Sequence, residues 1–372
     1  MKNIKLLAVP LFVVAVLILF AVSSANGVGP YTQLPTITIP GNLASGFDIS
    51  WVDPVSGRYY LADRTTGVVD VIDAEKGTYL FSIKGFVGTL PNRNASGPAG
   101  VLTLGNELWA GDGNSTVKVA DLTAGAAATL TSINTGGKFR ADELAYDPLD
   151  HVILIANDAD TPPFVTFISQ QTKAILGQLS YPQATGGIEQ PVWNQHTKRF
   201  YIAIPSTTRN PAGEIDELDP TTFLLTKVYP TPCSPAGLAL LPGDRLITSC
   251  GTVIDSLTGN IRGNIYNPDG TRVSADEIWY NAGDDRVYFG SNFVAVVDAS
   301  TYRLIDISGT AIFNGLGDAR ISFAPYQVAA YLFGFPIAPG GPVGGHTVAV
   351  DSANNHIFVP STGVGVKVFA AN

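Results

Sequence analysis

Apolar and polar residues alternate along most of this chain in short runs. From Asp48 the sequence reads "DISWVDPVSGRYYLADRTTGVVDVIDAEKGTYLFSI", four alternating runs broken by "DPVSG", "DRTTG" and "DAEKG". A period of two marks a β-strand with one face on a core, and Asp with Gly at each break supplies a tight turn. The stretch predicts four antiparallel strands in succession. The frame then recurs. An Asp ends the third strand as Asp73, Asp121, Asp219, Asp255 and Asp298, with Ser169 in that place in the third unit. Successive spacings are 48, 48, 50, 36 and 43 residues, the signature of a repeat architecture. A seventh unit, "HTVAVDSANNHIFVPSTGVGVKVFAAN", stops after three strands. The alternating segment "TQLPTITIPG", residues 32–41, precedes the first unit and is the predicted donor of the missing strand. Such a closure leaves a ring without an open edge. The predicted fold is all-β: one seven-bladed β-propeller over residues 26–372, closed by an N-terminal strand that completes the last blade. Residues 309–343 do not fit the frame and form an insert between blades six and seven.

The composition agrees. Of 372 residues, 45% are hydrophobic and 14% charged, with 39 Gly and 25 Pro, a balance of many turns and few charges. The first residues, "MKNIKLLAVPLFVVAVLILFAVSSANG", have Lys2 and Lys5 before an apolar run and small residues before a cut after Ala25. Residues 1–25 are therefore expected to be a secretory signal, and the protein secreted or periplasmic. An uncleaved membrane anchor is the alternative, and the only membrane association expected. The net charge is −9, and −11 without the two leader lysines. That balance argues against nucleic acid and anionic lipid, and suits cations or neutral small molecules.

The quoted turns and strands resemble the YVTN-type propeller repeat family, including the propellers of quinoprotein amine dehydrogenase β-chains. Blades of that family run from a Gly-Pro turn through "IAVDP", "GRLYVAN" and "VSVID". This chain has "GPAGVLTL", "DISWVDPVSGRYYLAD" and "VVDVID". The resemblance covers nearly all of the expected mature chain and implies a fold, since this fold hosts enzymes, scaffolds and binding proteins alike. No Cys-x-x-Cys-His, P-loop, dinucleotide fingerprint, GxSxG or HExxH occurs, so neither haem nor a nucleotide is expected.

A pair Asp-Glu opens two of the units, in "FRADELAYD" and "VSADEIWYN". Aligned on the first turn, the position five residues earlier reads Asp48, Ala99, Asp142, Glu189, Ala236, Asp276 and His346 around the seven blades. It precedes the innermost strand, so these side chains should converge on one mouth of the central channel. Asp48, Asp142, Glu189 and Asp276 are candidate ligands of a divalent cation, Ca²⁺ first, with Mg²⁺, Mn²⁺ or Zn²⁺ as alternatives. The opposing reading makes them turn carboxylates bonded to loop amides. His346 and Asp142 are the candidate catalytic groups. The second-strand ends Asp63, Asp112 and Asp158 reach the same face, and with Arg140, Arg320 and Tyr326 are the candidate substrate contacts. Arg320 and Tyr326 belong to the aromatic insert, read either as a lid or as a self-packed loop. His151, His196 and His356 fall on the opposite face.

Cys233 precedes the first strand of unit five and Cys250 ends its second, side by side in an antiparallel pair. An exported chain permits the disulfide.

Two functions follow. In the first, an acidic axial pocket binds a small molecule through a divalent cation and, in its catalytic form, hydrolyses a lactone or ester as a lactonase-like enzyme, or acts as a lyase. Propellers of the gluconolactonase and paraoxonase type are similar in principle but have ring asparagines, which this chain lacks. In the second, the disc is a non-catalytic extracellular scaffold for a protein or glycan. Nothing in the sequence sets an oligomeric state.

Overall fold

The computed structural model describes residues 31–267, 270–291, 293–305, 312–314 and 346–371. The expected leader and all of the insert but 312–314, Arg320 and Tyr326 included, lie outside the described residues. The described chain is a ring of seven antiparallel sheets. In blade one, strands Ser50–Asp53, Arg58–Asp63, Val68–Asp73 and Thr78–Lys84 pair in chain order, from the axis outward. The predicted turns carry their bonds. Asp53 Oδ1 accepts from Val55 N at 3.0 Å, and Asp147 Oδ1 from Leu149 N at 2.7 Å. At the third-strand ends, Asp121 Oδ1 accepts from Thr123 N at 2.9 Å, and Ser169 Oγ does the same for Thr172 N at 3.1 Å.

Burial follows from the stacking of blades. The second strand of blade one is buried from Tyr59 to Asp63 on both faces, because a sheet covers each side. Its fourth strand alternates with solvent instead. Seven clusters of buried apolar side chains lie between blades, one for each adjacent pair. Between the last blade and the first, Tyr59 stacks on Phe358 with ring centroids 4.7 Å apart. The innermost strands touch in ring order and return to the first: Ser50–Asp53, Val101–Leu104, Leu144–Asp147, Pro191–Asn194, Leu238–Leu241, Glu277–Asn281 and Ala349–Asp351.

The expected closure is present. Strand Tyr31–Ile37 pairs antiparallel with Gly365–Ala371, with Tyr31 opposite Ala371 and Ile37 opposite Val366. Residues 40–43 turn away as a 3₁₀ segment, so the strand is shorter than the alternation in 32–41 suggests. Part of the expected insert belongs to a blade: Ile312–Asn314 pairs with Phe293–Ala295 and supplies, with Arg303–Leu304, the outer edge of blade six.

The predicted disulfide forms. Cys233 and Cys250 are bonded, with Cα atoms 6.0 Å apart, tying the entry of blade five to the end of its second strand. Replacing both with serine is expected to lower stability by about 3 kcal/mol, the loop-entropy value for a closure of this size. Denaturant unfolding of the oxidised protein and the double serine variant measures the difference. Equal midpoints would remove the disulfide from the account of stability.

Two glycines set how closely inner strands approach. A Cβ on Gly100 would lie 2.4 Å from Asp142 O, and a Cβ on Gly237 would lie 2.5 Å from Asp276 O. Gly100 N donates to Asp142 O at 3.0 Å. Blades two and five thus press bare backbone against blades three and six, where the two Asp-Glu pairs begin.

Candidate functional site

The ring positions do converge at one end of the axis, and there the acids meet cations of the chain itself. His346, from blade seven, reaches both neighbours: Nδ1 lies 2.5 Å from Asp276 Oδ2 and Nε2 lies 3.1 Å from Asp48 Oδ1. Burial works against its charge, but the bonds to Asp276 and Asp48 outweigh it and raise its pKa well above the ordinary value. Asp48 also takes the Arg64 guanidinium. Burial pushes that carboxyl up, and Arg64 with His346 overrides it and brings it to about 2. Arg140 joins two further acids, with Nε 2.5 Å from Asp142 Oδ2 and Nη2 2.5 Å from Asp158 Oδ2. Glu189 has no ion pair among the described residues. Burial, then Asp158 and Asp142, hold it well above the usual carboxylate range.

The second-strand ends are occupied by their own loops. Asp63 Oδ1 accepts from Thr65 N at 2.7 Å, and its Oδ2 from Thr66 Oγ1 at 2.5 Å. Asp112 Oδ1 accepts from Gly113 N at 2.9 Å and Val87 N at 3.1 Å. Among the described residues no group of three or more His, Cys, Asp or Glu side chains is arranged to hold a metal ion. The ring is thus a belt of ion pairs in which Arg140 and His346 bridge separate acids.

Below the belt the channel narrows to a layer that the sequence reading missed. The next residue of each blade follows the ring position, and in blades three and six it is Glu143 and Glu277. Both are buried, and each carboxyl acts on the other electrostatically. Burial and the Glu277 carboxyl hold Glu143 well above its ordinary pKa, and burial drives Glu277 to about 8. Two acids buried near one another disfavour each other's charge. Gln190 stands in the same layer, its Oε1 accepting from Leu238 N at 2.6 Å.

Beyond this neck lies a cavity of about 510 Å³. None of the five charged ring residues lines it. Its walls are the inner strands, and it reaches Pro148 in the turn that also holds His151, on the face opposite the ring. Three of the chain's four tryptophans, Trp51, Trp193 and Trp279, line it with Tyr146 and Tyr280. They stand two or three residues beyond the neck, roughly 7–10 Å along a strand. Trp51 and Trp279 meet edge to face at 5.3 Å. The polar atoms of three rings are used elsewhere: Trp51 Nε1 donates to Thr103 Oγ1 at 3.0 Å, Tyr146 OH bonds His151 Nδ1 at 2.9 Å, and Tyr280 OH donates to Asp285 Oδ1 at 2.9 Å. The cavity is therefore a cup with aromatic sides and a carboxyl floor.

No family model matches the chain, and no curated protein matches it. Solved structures do. One chain of a structure titled "Crystal Structure of Mitotic Checkpoint Complex" aligns with TM-score 0.62 and 12% identity over 92% of this chain and 90% of that one. The Pan2 WD40 domain of Neurospora crassa aligns with TM-score 0.61 and 12% identity over 92% of this chain and 95% of that one. The likeness is one of fold.

A signal for the neck was present in the sequence. The repeated Asp-Glu places an acid at the ring and another directly beneath it, in two blades only, each preceded by a blade that offers Ala-Gly.

Proposed function

We propose that this chain is an exported propeller of the YVTN-like repeat type that binds a small molecule on its axis. The observation that carries the reading is the aromatic cup with its buried carboxyl floor. Its volume lies within the range of roughly 300–1,000 Å³ of small-molecule sites, and a few polar groups converge at one end of an apolar wall. The leader-like first 25 residues and the Cys233–Cys250 disulfide support export to an oxidising compartment, secreted or periplasmic.

The test uses the tryptophans. N-phenyl-1-naphthylamine, an uncharged fluorophore, is expected to bind saturably and to quench intrinsic emission. Trp51→Ala/Trp279→Ala should weaken that binding at least tenfold. Linear, unsaturable partitioning would sink the reading.

A divalent cation on Asp48, Asp142, Glu189 and Asp276 is the second reading, favoured by Glu189, a partly buried acid with no cationic partner among the described residues. The ion would have to share Asp142 with Arg140 and Asp48 with Arg64 and His346. Elemental analysis for calcium, magnesium, manganese and zinc tests it. One bound equivalent, lost in Asp142→Ala/Asp276→Ala, supports it and opens lactone and ester hydrolysis to assay. His346 has both ring nitrogens engaged by carboxylates, so a base role for it requires one of those bonds to open. The scaffold reading draws on the fold shared with a WD40 domain, and failure of both binding tests moves the assignment there.

A further inference from the structure

We propose that the cup takes a flat, uncharged molecule with an apolar body and one hydrogen-bond-accepting end, entering from the His151 face with that end leading toward Glu143, Gln190 and Glu277. The inference rests on the axial reading above and adds the ligand's chemistry.

The shape comes from the walls. Trp51, Trp279, Tyr146 and Tyr280 present ring surfaces while three of their four polar atoms are bound to the protein. A body against them meets ring faces and aliphatic side chains such as Leu102 and Leu240, which favours a flat apolar group. The direction comes from the two ends. The ring end is rimmed by the His346 and Arg140 ion pairs, whereas the cup reaches Pro148 on the far face.

The charge comes from what surrounds the floor. No Lys, Arg or His lines the cavity. An anion would face Glu143 and Glu277, with Asp142, Glu189 and Asp276 behind them, and nothing positive on the wall. Asp48, Asp142 and Asp276 are already met by Arg64, Arg140 and His346, on the ring side of the floor. What the floor offers a ligand is a donor: the Gln190 amide N–H₂, which has no acceptor among the described residues. Donors in a buried place select an acceptor and penalise a ligand that lacks one.

Three isosteres with one body separate the possibilities. Displacement of N-phenyl-1-naphthylamine at pH 6.5 is measured for 3-phenylpropanamide, 3-phenylpropanoate and 3-phenylpropylammonium. The amide should displace at least tenfold better than either ion. Gln190→Leu, which removes the floor donor, should bring the amide to within about threefold of the ammonium while N-phenyl-1-naphthylamine still binds. If the ammonium wins in the parent, the floor is a cation site and the inference is overturned. Equal displacement by all three overturns it as well. Failure of the fluorophore itself to bind rejects the axial reading first, and the inference with it.

Discussion

Replacing Arg140 with alanine is expected to destabilise the folded chain by about 3–5 kcal/mol, the usual cost of removing one member of a buried charge cluster. The guanidinium bridges Asp142 and Asp158, both more than nine-tenths buried, and removing it leaves two adjacent carboxyls without a counter-ion. Urea unfolding gives the loss directly. A companion substitution identifies its origin. Arg140→Ala combined with Asp142→Asn/Asp158→Asn should recover much of the stability, because the orphaned charges are then gone. Arg140→Lys should recover only part, since an ammonium cannot reach both acids with the planar fork that Arg140 uses. If Arg140→Ala unfolds at the parental midpoint, the ion-pair belt contributes nothing to the fold.

The second large effect is in pH. Asp216 lies wholly buried in the strand Glu214–Leu218, with no hydrogen bond to either carboxyl oxygen. Burial, reinforced by Glu214 and opposed by Arg209, raises its pKa to about 8. Tyr181, from the preceding blade, also faces it. Asp70, buried in blade one with a single bond from Ser82 Oγ at 2.7 Å, is raised to about 7, with burial as the chief cause. The sign follows from proton counting. These acids are protonated in the fold and ionised in the unfolded chain between about pH 4 and their folded values. The folded state therefore binds more protons, and stability falls as pH rises through that window. Each such group contributes a slope of about 1.4 kcal/mol per pH unit. His346, raised well above its ordinary value, pulls the same way above about pH 6.5, while Asp48, held at about 2, opposes only in strong acid. The protein is expected to unfold at a higher urea concentration at pH 5 than at pH 8. Asp216→Asn should flatten that slope by one group's share. A midpoint that rises from pH 5 to pH 8 would contradict this account.

The sequence made the architecture legible because turns and alternation are local. An Asp four residues before a Gly is a local turn signal, so Asp73, Asp121 and Asp255 could be counted without knowing what they pack against. The closing strand was legible for another reason: a seventh unit one strand short has a single alternating candidate before Asp48. The ring at Asp48, Asp142, Glu189, Asp276 and His346 could be placed as well, since alignment on turns gives height along the axis. What spacing does not give is which side chains reach each other. Arg140 joins Asp158, 18 residues on in its own blade, and His346 joins Asp276, 70 residues back in the neighbouring one. Nothing local marks Arg64 as the partner of Asp48 either. The cup was hidden because Trp51, Trp193 and Trp279 look like ordinary core residues of a strand. Only the radial order of the blades turns them toward the axis. Ile312–Asn314 was assigned to the insert because blade six interrupts its outer edge, and a broken strand has no readable period.

The pairing of Tyr31–Ile37 with Gly365–Ala371 also bears on how the protein is made. Every other sheet is assembled from neighbours in sequence and can form as soon as its own hairpins are synthesised. Among the described sheets the seventh alone joins a strand from before blade one to strands made after blade six, with Tyr31 opposite Ala371. Contacts of such long separation are slow to form, because the loop entropy must be met before any bond is gained. Six blades therefore wait as an open arc with two bare edges until the strand Gly365–Ala371 is made. The time between the first blade and that strand is when this chain is exposed to wrong partners, and when a chaperone would have the most to hold.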